Sequence, residues 1–261
     1  MSATGKILLR GPDANSPRVQ RSAHRVSRTE SPPNPLPWWK RALDLLGLLV
    51  LAPALIPVMA LLALFVRISS PGPIFFRQER VGLHTRRFVC LKFRTMRVAA
   101  ETKSHQAHLE DLMNNGKPME KLDVADERIT PGGLWLRASG LDELPQVFNI
   151  LRGEMSLVGP RPCVPYEYNK FQPEHRARFD AVPGLTGLWQ VSGKNNTTFQ
   201  QMIDLDIAYA TKLSFWRDVS ILVRTFPVLL QQVCQMLRKR RERRRINLEI
   251  SGSSKSEKSR V

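Results

Sequence analysis

A long apolar run over residues 42–66 dominates the hydrophobic pattern of the chain, and Asp44 is its only charged residue. The run is long enough to cross a bilayer. Pro53 and Pro57 fall near its middle, where each proline removes a helix hydrogen bond and obstructs the preceding turn. Basic residues flank the run on both sides, which favours the cytoplasmic side for both ends. The pattern predicts a proline-broken re-entrant membrane helix over residues 38–67.

Shorter patterns follow the membrane segment. Ile74–Phe76 and Arg87–Arg94 have the composition of two short strands joined by a turn. Thr198 and Gln201 form a capping-box pattern, which predicts a helix reaching about Leu213. These patterns predict an α/β fold that is mostly helical with short strands.

Segments outside this central part differ in composition. Residues 1–37 are rich in Arg, Ser and Pro and predict a disordered basic arm. Residues 216–237 form a long amphipathic segment that fits two placements, packed on the core or lying in the membrane interface. The Arg-rich residues 238–261 predict a polybasic disordered tail, in which each cation near an acidic leaflet would contribute about 1 kcal/mol. We therefore expect one cytosolic domain over residues 68–237, built on the membrane helix and on amphipathic interfacial helices.

The charge balance indicates an anionic partner. The chain has 40 Lys and Arg against 23 Asp and Glu, a formal charge of +17. Nucleic acid, acidic lipid and a phosphorylated substrate all fit this charge. Hydrophobic residues make up 42% of the chain, which argues against a protein with many membrane spans. Cys90, Cys163 and Cys234 have no metal-ligand spacing and indicate reduced thiols.

Adjacent carboxylates at residues 142 and 143 are the strongest candidates for chemistry. Asp142 and Glu143 precede a helical apolar stripe, and arginines lie on both sides, at Arg137 and Arg161. One interpretation is structural, with Asp142 as the helix N-cap and Glu143 complementing the helix dipole. The other is that acids beside arginines hold a metal-bridged phosphate. Spacing within this stretch does not separate the two interpretations.

Further cations lie in two other segments. Lys92 and Arg94 share one face of the second predicted strand, either at a solvated edge or aimed at a phosphate. Lys194 closes a loop that contains three glycines, whose backbone could approach a ligand closely. The loop is not a P-loop, because a P-loop requires Gly-Lys-Ser/Thr after four intervening residues.

Four motifs occur in order and together resemble one family. They are Lys92-Phe93-Arg94-Thr95-Met96, Leu141-Asp142-Glu143-Leu144-Pro145-Gln146, Ser156-Leu157-Val158-Gly159-Pro160-Arg161-Pro162 and Pro183-Gly184-Leu185-Thr186-Gly187-Leu188-Trp189-Gln190-Val191. The chain resembles the bacterial sugar transferases, monotopic phosphoglycosyl transferases that start glycan assembly on polyprenyl phosphate. The resemblance covers roughly residues 39–230 and is to the minimal form of the family.

The resemblance implies an enzyme that transfers a sugar 1-phosphate from a UDP-sugar to undecaprenyl phosphate and releases UMP. Asp142 would be the nucleophile, forming a phosphosugar-aspartyl intermediate. Glu143 would help Asp142 to hold Mg²⁺. The product would enter exopolysaccharide, capsule or O-antigen (lipopolysaccharide) synthesis at its first membrane step. The implied place is the cytoplasmic face of the cytoplasmic membrane, with both ends of the membrane helix inside.

The resemblance also assigns the surrounding residues. The phosphate-contact candidates are Lys92, Arg94, Arg137, Arg161 and Lys194. Many relatives have arginine where this chain has Lys194, and lysine lacks the bidentate fork of arginine. Of the two prolines, Pro57 matches the helix-breaking position of the family better than Pro53. Membrane lipid is an implied partner, nucleic acid is not, and a homodimer is a further candidate assembly. The alternative is a membrane-tethered basic binding or scaffold protein without catalysis.

Overall fold

The computed structural model describes residues 37–97, 110–113, 115–116, 118–119, 128–193 and 196–258. Lys194 and all of the predicted basic arm except Pro37 lie outside these residues, so the interpretations of those parts stay predictions. The fold is mostly helical with short strands, as the sequence predicts. Its helices and strands are α1 Trp38–Ser69, β1 Phe75–Val81, β2 Arg87–Phe93, α2 Gly133–Ser139, α3 Val147–Leu151, β3 Ser156–Val158, α4 Pro165–Tyr168, β4 Gly184–Thr186, α5 Leu188–Val191, α6 Phe199–Thr211 and α7 Phe215–Lys258; the 3₁₀ helices include Leu83–Thr85, Leu141–Gln146 and Pro173–Asp180.

Helix α1 is one continuous helix of 32 residues that contains both Pro53 and Pro57. The predicted interruption at these prolines is therefore wrong, and a bend there stays a prediction. Each proline removes a single helix hydrogen bond, and such losses are tolerated within apolar helices. An 18-residue stretch of α1 has a mean hydropathy of 2.7, so α1 is long and apolar enough to cross a membrane.

One face of α1 packs against the rest of the protein at both of its ends. The buried residues recur at spacings that place them on one side of a helix: Lys40, Asp44, Leu48, Leu62 and Val66. Near the C-terminal end, Leu62 and Val66 pack with Phe93 of β2 and Leu136 of α2. The remaining surface of α1 is largely apolar and exposed.

A buried polar cluster fastens the N-terminal end of α1. Lys40 Nζ donates hydrogen bonds to Val158 O at 2.7 Å, to Tyr209 Oη at 2.8 Å and to Asp218 Oδ2 at 2.7 Å. Burial, together with the charge of Asp218, raises the pKa of Tyr209, so its hydroxyl stays protonated and donates to Asp218 Oδ1 at 2.7 Å. One turn later along α1, Asp44 Oδ1 accepts from Leu157 N at 2.8 Å. These bonds join α1 to β3, α6 and α7.

Two small sheets carry the loops of the site. Strands β1 and β2 form the predicted hairpin, antiparallel, with Phe76 opposite Lys92. Strands β3 and β4 pair in parallel, with Ser156 opposite Gly184. A Cβ added at Gly184 would lie 2.0 Å from the backbone nitrogen of Gly159, so two chain segments cross here with room only for hydrogen.

Helix α7 differs from the sequence prediction at its C-terminal end. Residues 238–258, expected to be disordered, continue the helix as far as Lys258. Arg, Lys and Glu make up residues 238–245 and are good helix formers, and a helix already nucleated upstream extends through them at little cost per residue. In the structure residues 238–258 are therefore helical, and the separate tail segment predicted from residue 238 stays a prediction.

Candidate active site around Asp142 and Glu143

The acid pair lies in the first turn of the 3₁₀ helix Leu141–Gln146. Helix α2 ends at Ser139, and Gly140 then adopts a left-handed φ of 73°, which turns the chain directly into the 3₁₀ helix. Leu141 and Leu144 pack against the apolar cluster that includes Phe93 and Val66, which fixes this turn. The sequence predicts a helix entrance here, and that is confirmed.

Asp142 does not occupy the predicted N-cap position. Gly140 precedes the 3₁₀ helix as its cap residue, and Asp142 follows within the first turn with only 8% of its surface exposed. Its interpretation as a helix cap is therefore wrong. The cap position belongs to Gly140, and no side chain caps this 3₁₀ helix.

Lys92 is brought to the acid pair from the second strand. Its Nζ lies 2.7 Å from Glu143 Oε1, and both side chains are partly exposed. The ion pair joins residues 51 positions apart, because β2 packs directly on the 3₁₀ helix. The predicted combination of carboxylates and a nearby cation is thus present in the fold.

Arg94 and Arg137 have different surroundings. The guanidinium of Arg94 donates to Pro71 O at 2.8 Å and to Ser70 O at 2.6 Å, and Arg94 is buried. These bonds give it a structural role in holding the turn after α1. Arg137 is half-buried in the last turn of α2, five residues before Asp142. Their assignments as phosphate contacts stay predictions.

Arg161 lies at the Gly-Pro-Arg-Pro corner that follows β3, where it pairs with a buried acid. Its Nη1 lies 2.9 Å from Glu167 Oε1, and Glu167 is fully buried. Burial alone would raise the pKa of Glu167, but the positive charges of Arg161 and Arg80 outweigh it and lower that pKa. Most of the charge of Arg161 is therefore balanced within the protein.

A second buried pair supports the same corner. Arg178 forms an ion pair with Asp206, and its Nη2 donates to Arg161 O at 2.8 Å. Burial raises the pKa of Asp206, against the opposing effect of Arg178. Arg80 Nη1 also donates to Pro162 O at 2.9 Å.

Sequence analysis does not single out Glu167, Arg178, Arg80 or Asp206. One signal was available, because Asp206 falls at helical spacing from Met202, Ile203 and Tyr209, all of which are buried. A charge on the apolar face of a helix requires a buried partner.

The carboxylates suit a metal shared with a substrate. Among the residues with described positions, no group of three or more His, Cys, Asp or Glu could hold a metal. Mg²⁺ commonly binds through one or two carboxylates together with substrate phosphate oxygens and water. Asp142 and Glu143 fit that donor set, with the phosphates completing it.

A comparison with known proteins identifies the family. A model of the bacterial sugar transferase family matches residues 36–232. The chain belongs to the bacterial sugar transferases. The resemblance carried by the four motifs, over roughly residues 39–230, is thereby confirmed.

Individual relatives are similar over about three quarters of this sugar transferase. It is 41% identical over 199 residues to the UDP-glucose:undecaprenyl-phosphate glucose-1-phosphate transferase of Caulobacter vibrioides, covering 73% of this chain and 69% of that protein. It is 39% identical over 194 residues to the UDP-galactose-lipid carrier transferase of Erwinia amylovora, covering 74% of this chain and 40% of that protein. It is 38% identical over 196 residues to the exopolysaccharide production protein ExoY of Sinorhizobium fredii, covering 73% of this chain and 84% of that protein. The matched stretch is thus less than half of the Erwinia protein and most of ExoY.

Proposed function

We propose that this sugar transferase moves a sugar 1-phosphate from a UDP-sugar to undecaprenyl phosphate through a covalent aspartyl intermediate. The observation that carries the proposal is the acid pair beside Lys92, at the start of a 3₁₀ helix within the family match. The name of the Caulobacter relative supports this class of donor and acceptor. The name of the ExoY relative supports a place in exopolysaccharide synthesis.

In the first step, an Asp142 carboxylate oxygen attacks the phosphorus that carries the sugar. The bond from that phosphorus to the oxygen bridging it to the other phosphate breaks, and UMP leaves with the bond electrons. In the second step, a phosphate oxygen of undecaprenyl phosphate attacks the same phosphorus. Asp142 leaves as a free carboxylate, and the product is a sugar-diphospho-lipid. A carboxylate is already an anion at neutral pH and needs no general base for the first step.

The surrounding charges make attack by an anion on an anion feasible. Lys92 supplies positive charge at the rim of the acid pair, where it is partly exposed and can meet an incoming phosphate. Glu143 holds that lysine in place. Mg²⁺ bound by Asp142 and Glu143 would neutralise the diphosphate and stabilise the leaving UMP. Arg161 and Arg137 stay candidates for the outer phosphate contacts.

The packing of α1 supports attachment to the membrane from one side. The N-terminal end of α1 is hydrogen-bonded to β3, and its C-terminal end packs on β2 and α2. A simple span would carry one end about 30 Å away, across the hydrocarbon core, from a domain on one side. Contact at both ends with one domain favours a monotopic protein, and the basic residues that flank α1 favour the cytoplasmic face for its catalytic domain.

The test is release of UMP before any lipid acceptor is present. Full-length protein is incubated with Mg²⁺ and each of a panel of UDP-sugars, and UMP is measured. We expect a burst of about one UMP per active site with the correct donor, and continuous turnover after undecaprenyl phosphate is added. Continuous UMP release only when both substrates are present, with no burst, would contradict a covalent intermediate.

A further inference from the structure

Helix α7 has an apolar face that is exposed among the residues that the structure describes. The opposite face of α7 packs against the rest of the domain. On that face Asp218 and Ile221 are buried, and Thr225 Oγ1 lies 2.8 Å from Thr186 Oγ1 of β4. The uncovered side chains recur at intervals of three, four and seven residues, which places them along one side of the helix. They are Trp216, Val223, Phe226, Leu230 and Leu237.

A run of positive charge follows this apolar face without a break in the helix. Seven of the eight residues from 238 to 245 are Arg or Lys, and the eighth is Glu242, so the run has a net charge of +6. Arg238 and Arg241, at the start of the run, are exposed. An exposed apolar face together with many cations is typical of helices that lie on a bilayer surface.

The apolar face begins beside the N-terminal end of the membrane helix. The ring of Phe215 lies 6.0 Å from that of Trp39 in α1 and 5.3 Å from that of Trp216. Trp38 is 82% exposed and Trp216 75% exposed. Exposed tryptophans concentrate at the boundary between lipid and water. The start of α7 and the start of α1 therefore share one aromatic cluster suited to that boundary.

From these contacts and charges we infer that residues 216–245 of α7 bind the surface of a bilayer that contains anionic phospholipid. The apolar face enters the outer part of the leaflet, and the basic run pairs with acidic headgroups. This inference uses the membrane attachment of the proposed function but not its transferase chemistry. A second copy of α7 is the less suitable occupant, because parallel pairing would bring two runs of +6 together.

Bound in this way, α7 would support the active site from the membrane side. A Cβ added at Gly140, two residues before Asp142, would lie 3.3 Å from Leu229 Cδ2 of α7. Helices α2 and α7 also pack on one another. The lipid-bound helix would therefore set how far the acid pair stands from the leaflet that supplies a lipid phosphate.

The test uses Cys234 as a natural labelling position within the exposed side of α7. Cys234 is exposed, whereas Cys90 and Cys163 are buried. Full-length protein labelled there with a small fluorophore is reconstituted into nanodiscs of phosphatidylcholine alone or mixed with phosphatidylglycerol. Quenching by lipids with a spin label on the acyl chain reports contact of α7 with the leaflet. We expect strong quenching in the anionic discs, weaker quenching in the neutral discs, and loss of the difference at high salt.

A charge variant distinguishes binding to anionic lipid from nonspecific hydrophobic adsorption. Neutralising Arg243, Arg244 and Arg245 to Gln lowers the ratio of bound to unbound helix in anionic discs by about five-fold per residue, since each cation is worth about 1 kcal/mol there. The matched control neutralises Arg86, Arg87 and Arg176, which are exposed outside α7, and leaves quenching unchanged.

Two results would overturn the inference. The first is quenching that is equal in neutral and anionic discs and unaffected by the Arg243–Arg245 change. The second is Cys234–Cys234 disulfide formation between two copies of the unlabelled protein in neutral discs, with no lipid quenching of the labelled protein, which would assign the face to a dimer. Failure of UMP release would leave either readout unaffected, so the two proposals fail independently.

Discussion

At the scale of single residues, Asp142 and Glu143 are adjacent in sequence but have separate surroundings. Asp142 is nearly buried within the first turn of the 3₁₀ helix, whereas Glu143 reaches a partly exposed lysine on β2. These different surroundings suit different roles. The buried Asp142 suits a nucleophile held in place, and Glu143 suits a carboxylate that positions the neighbouring Lys92. Substitution of each acid should therefore have a different effect.

Replacing Asp142 by Asn removes the attacking anion while conserving size. We expect Asp142→Asn to abolish the UMP burst and to lower turnover by roughly three orders of magnitude or more, as for loss of other nucleophiles. The measurement is single-turnover UMP release with the preferred UDP-sugar. Asp204→Asn, on the exposed side of α6, is the matched control and should retain the burst. Full turnover by Asp142→Asn would contradict the assignment of Asp142 as the nucleophile.

Glu167 predicts a pH dependence of stability. Its pKa is lowered in the folded state, so its contribution is fully present above the unfolded pKa and is lost as pH falls through the folded pKa. Glu167→Gln should lower the free energy of unfolding at neutral pH by about 3 kcal/mol, because it leaves Arg161 without its anion.

Urea denaturation at a series of pH values checks this prediction. The difference between wild type and Glu167→Gln should shrink as the medium is acidified below about pH 4, since the wild-type carboxylate is then being protonated as well. Glu174→Gln is the control, because Glu174 is an exposed acid close in sequence. A difference that stays constant down to the lowest pH would contradict the role assigned to the carboxylate.

At the scale of elements, the attachment of α1 depends on a buried ion pair. Lys40 and Asp218 are both almost completely buried, and Tyr209 bonds to both. Removing one partner leaves the other charge buried and unpaired, which is costly, whereas removing both is much less so. Lys40→Met and Asp218→Asn should each lower the melting temperature by about 10 °C.

A double-mutant cycle tests this attachment. The variant that combines Lys40→Met with Asp218→Asn should melt well above the temperature expected if the two losses were additive. Differential scanning fluorimetry in detergent gives the four melting temperatures. Strict additivity would show that the two charges do not depend on one another.

Local patterns of the chain predicted several elements correctly. The hairpin of β1 and β2 follows from strand composition, and the Thr198–Gln201 capping box is present, with Gln201 N donating to Thr198 Oγ1 at 3.2 Å. The entrance at Asp142 was also predictable, because glycine, acids and an apolar stripe occur within a few residues. Each of these depends on contacts between near neighbours in sequence.

The pairings that shape the site were not predictable from spacing. Arg178 and Asp206 are 28 residues apart, and Lys92 and Glu143 are 51 apart. Local patterning shows that a residue is charged, but the fold alone determines which charge it meets. The same limit applies to α7. The run of arginines from residue 238 is typical of a disordered tail, but the preceding helix continues through it.

At the scale of the whole molecule, the contacts of α1 predict its topology. Both ends contact one domain, so both flanks should lie on one side of the membrane. In a Cys234→Ser background, single cysteines at Trp38 and Ile68, both exposed, should resist a membrane-impermeant thiol reagent added to intact cells. Both should react in inverted membrane vesicles. Labelling of either flank from outside would establish a span instead.

The Lys40–Asp218 pair also has a consequence for the order of biosynthesis. The two residues are 178 positions apart, so at ordinary rates of translation the aspartate is made about 10–40 s after the lysine. During that interval α1 has left the ribosome, but Asp218, the partner of Lys40 in the folded protein, has not yet been made. Until Asp218 is made, this ion pair cannot hold α1 to the domain, and we expect lipid or a chaperone to cover the apolar surface of the helix. Chains released before residue 218 would contain the apolar helix α1 without the aspartate that pairs with Lys40.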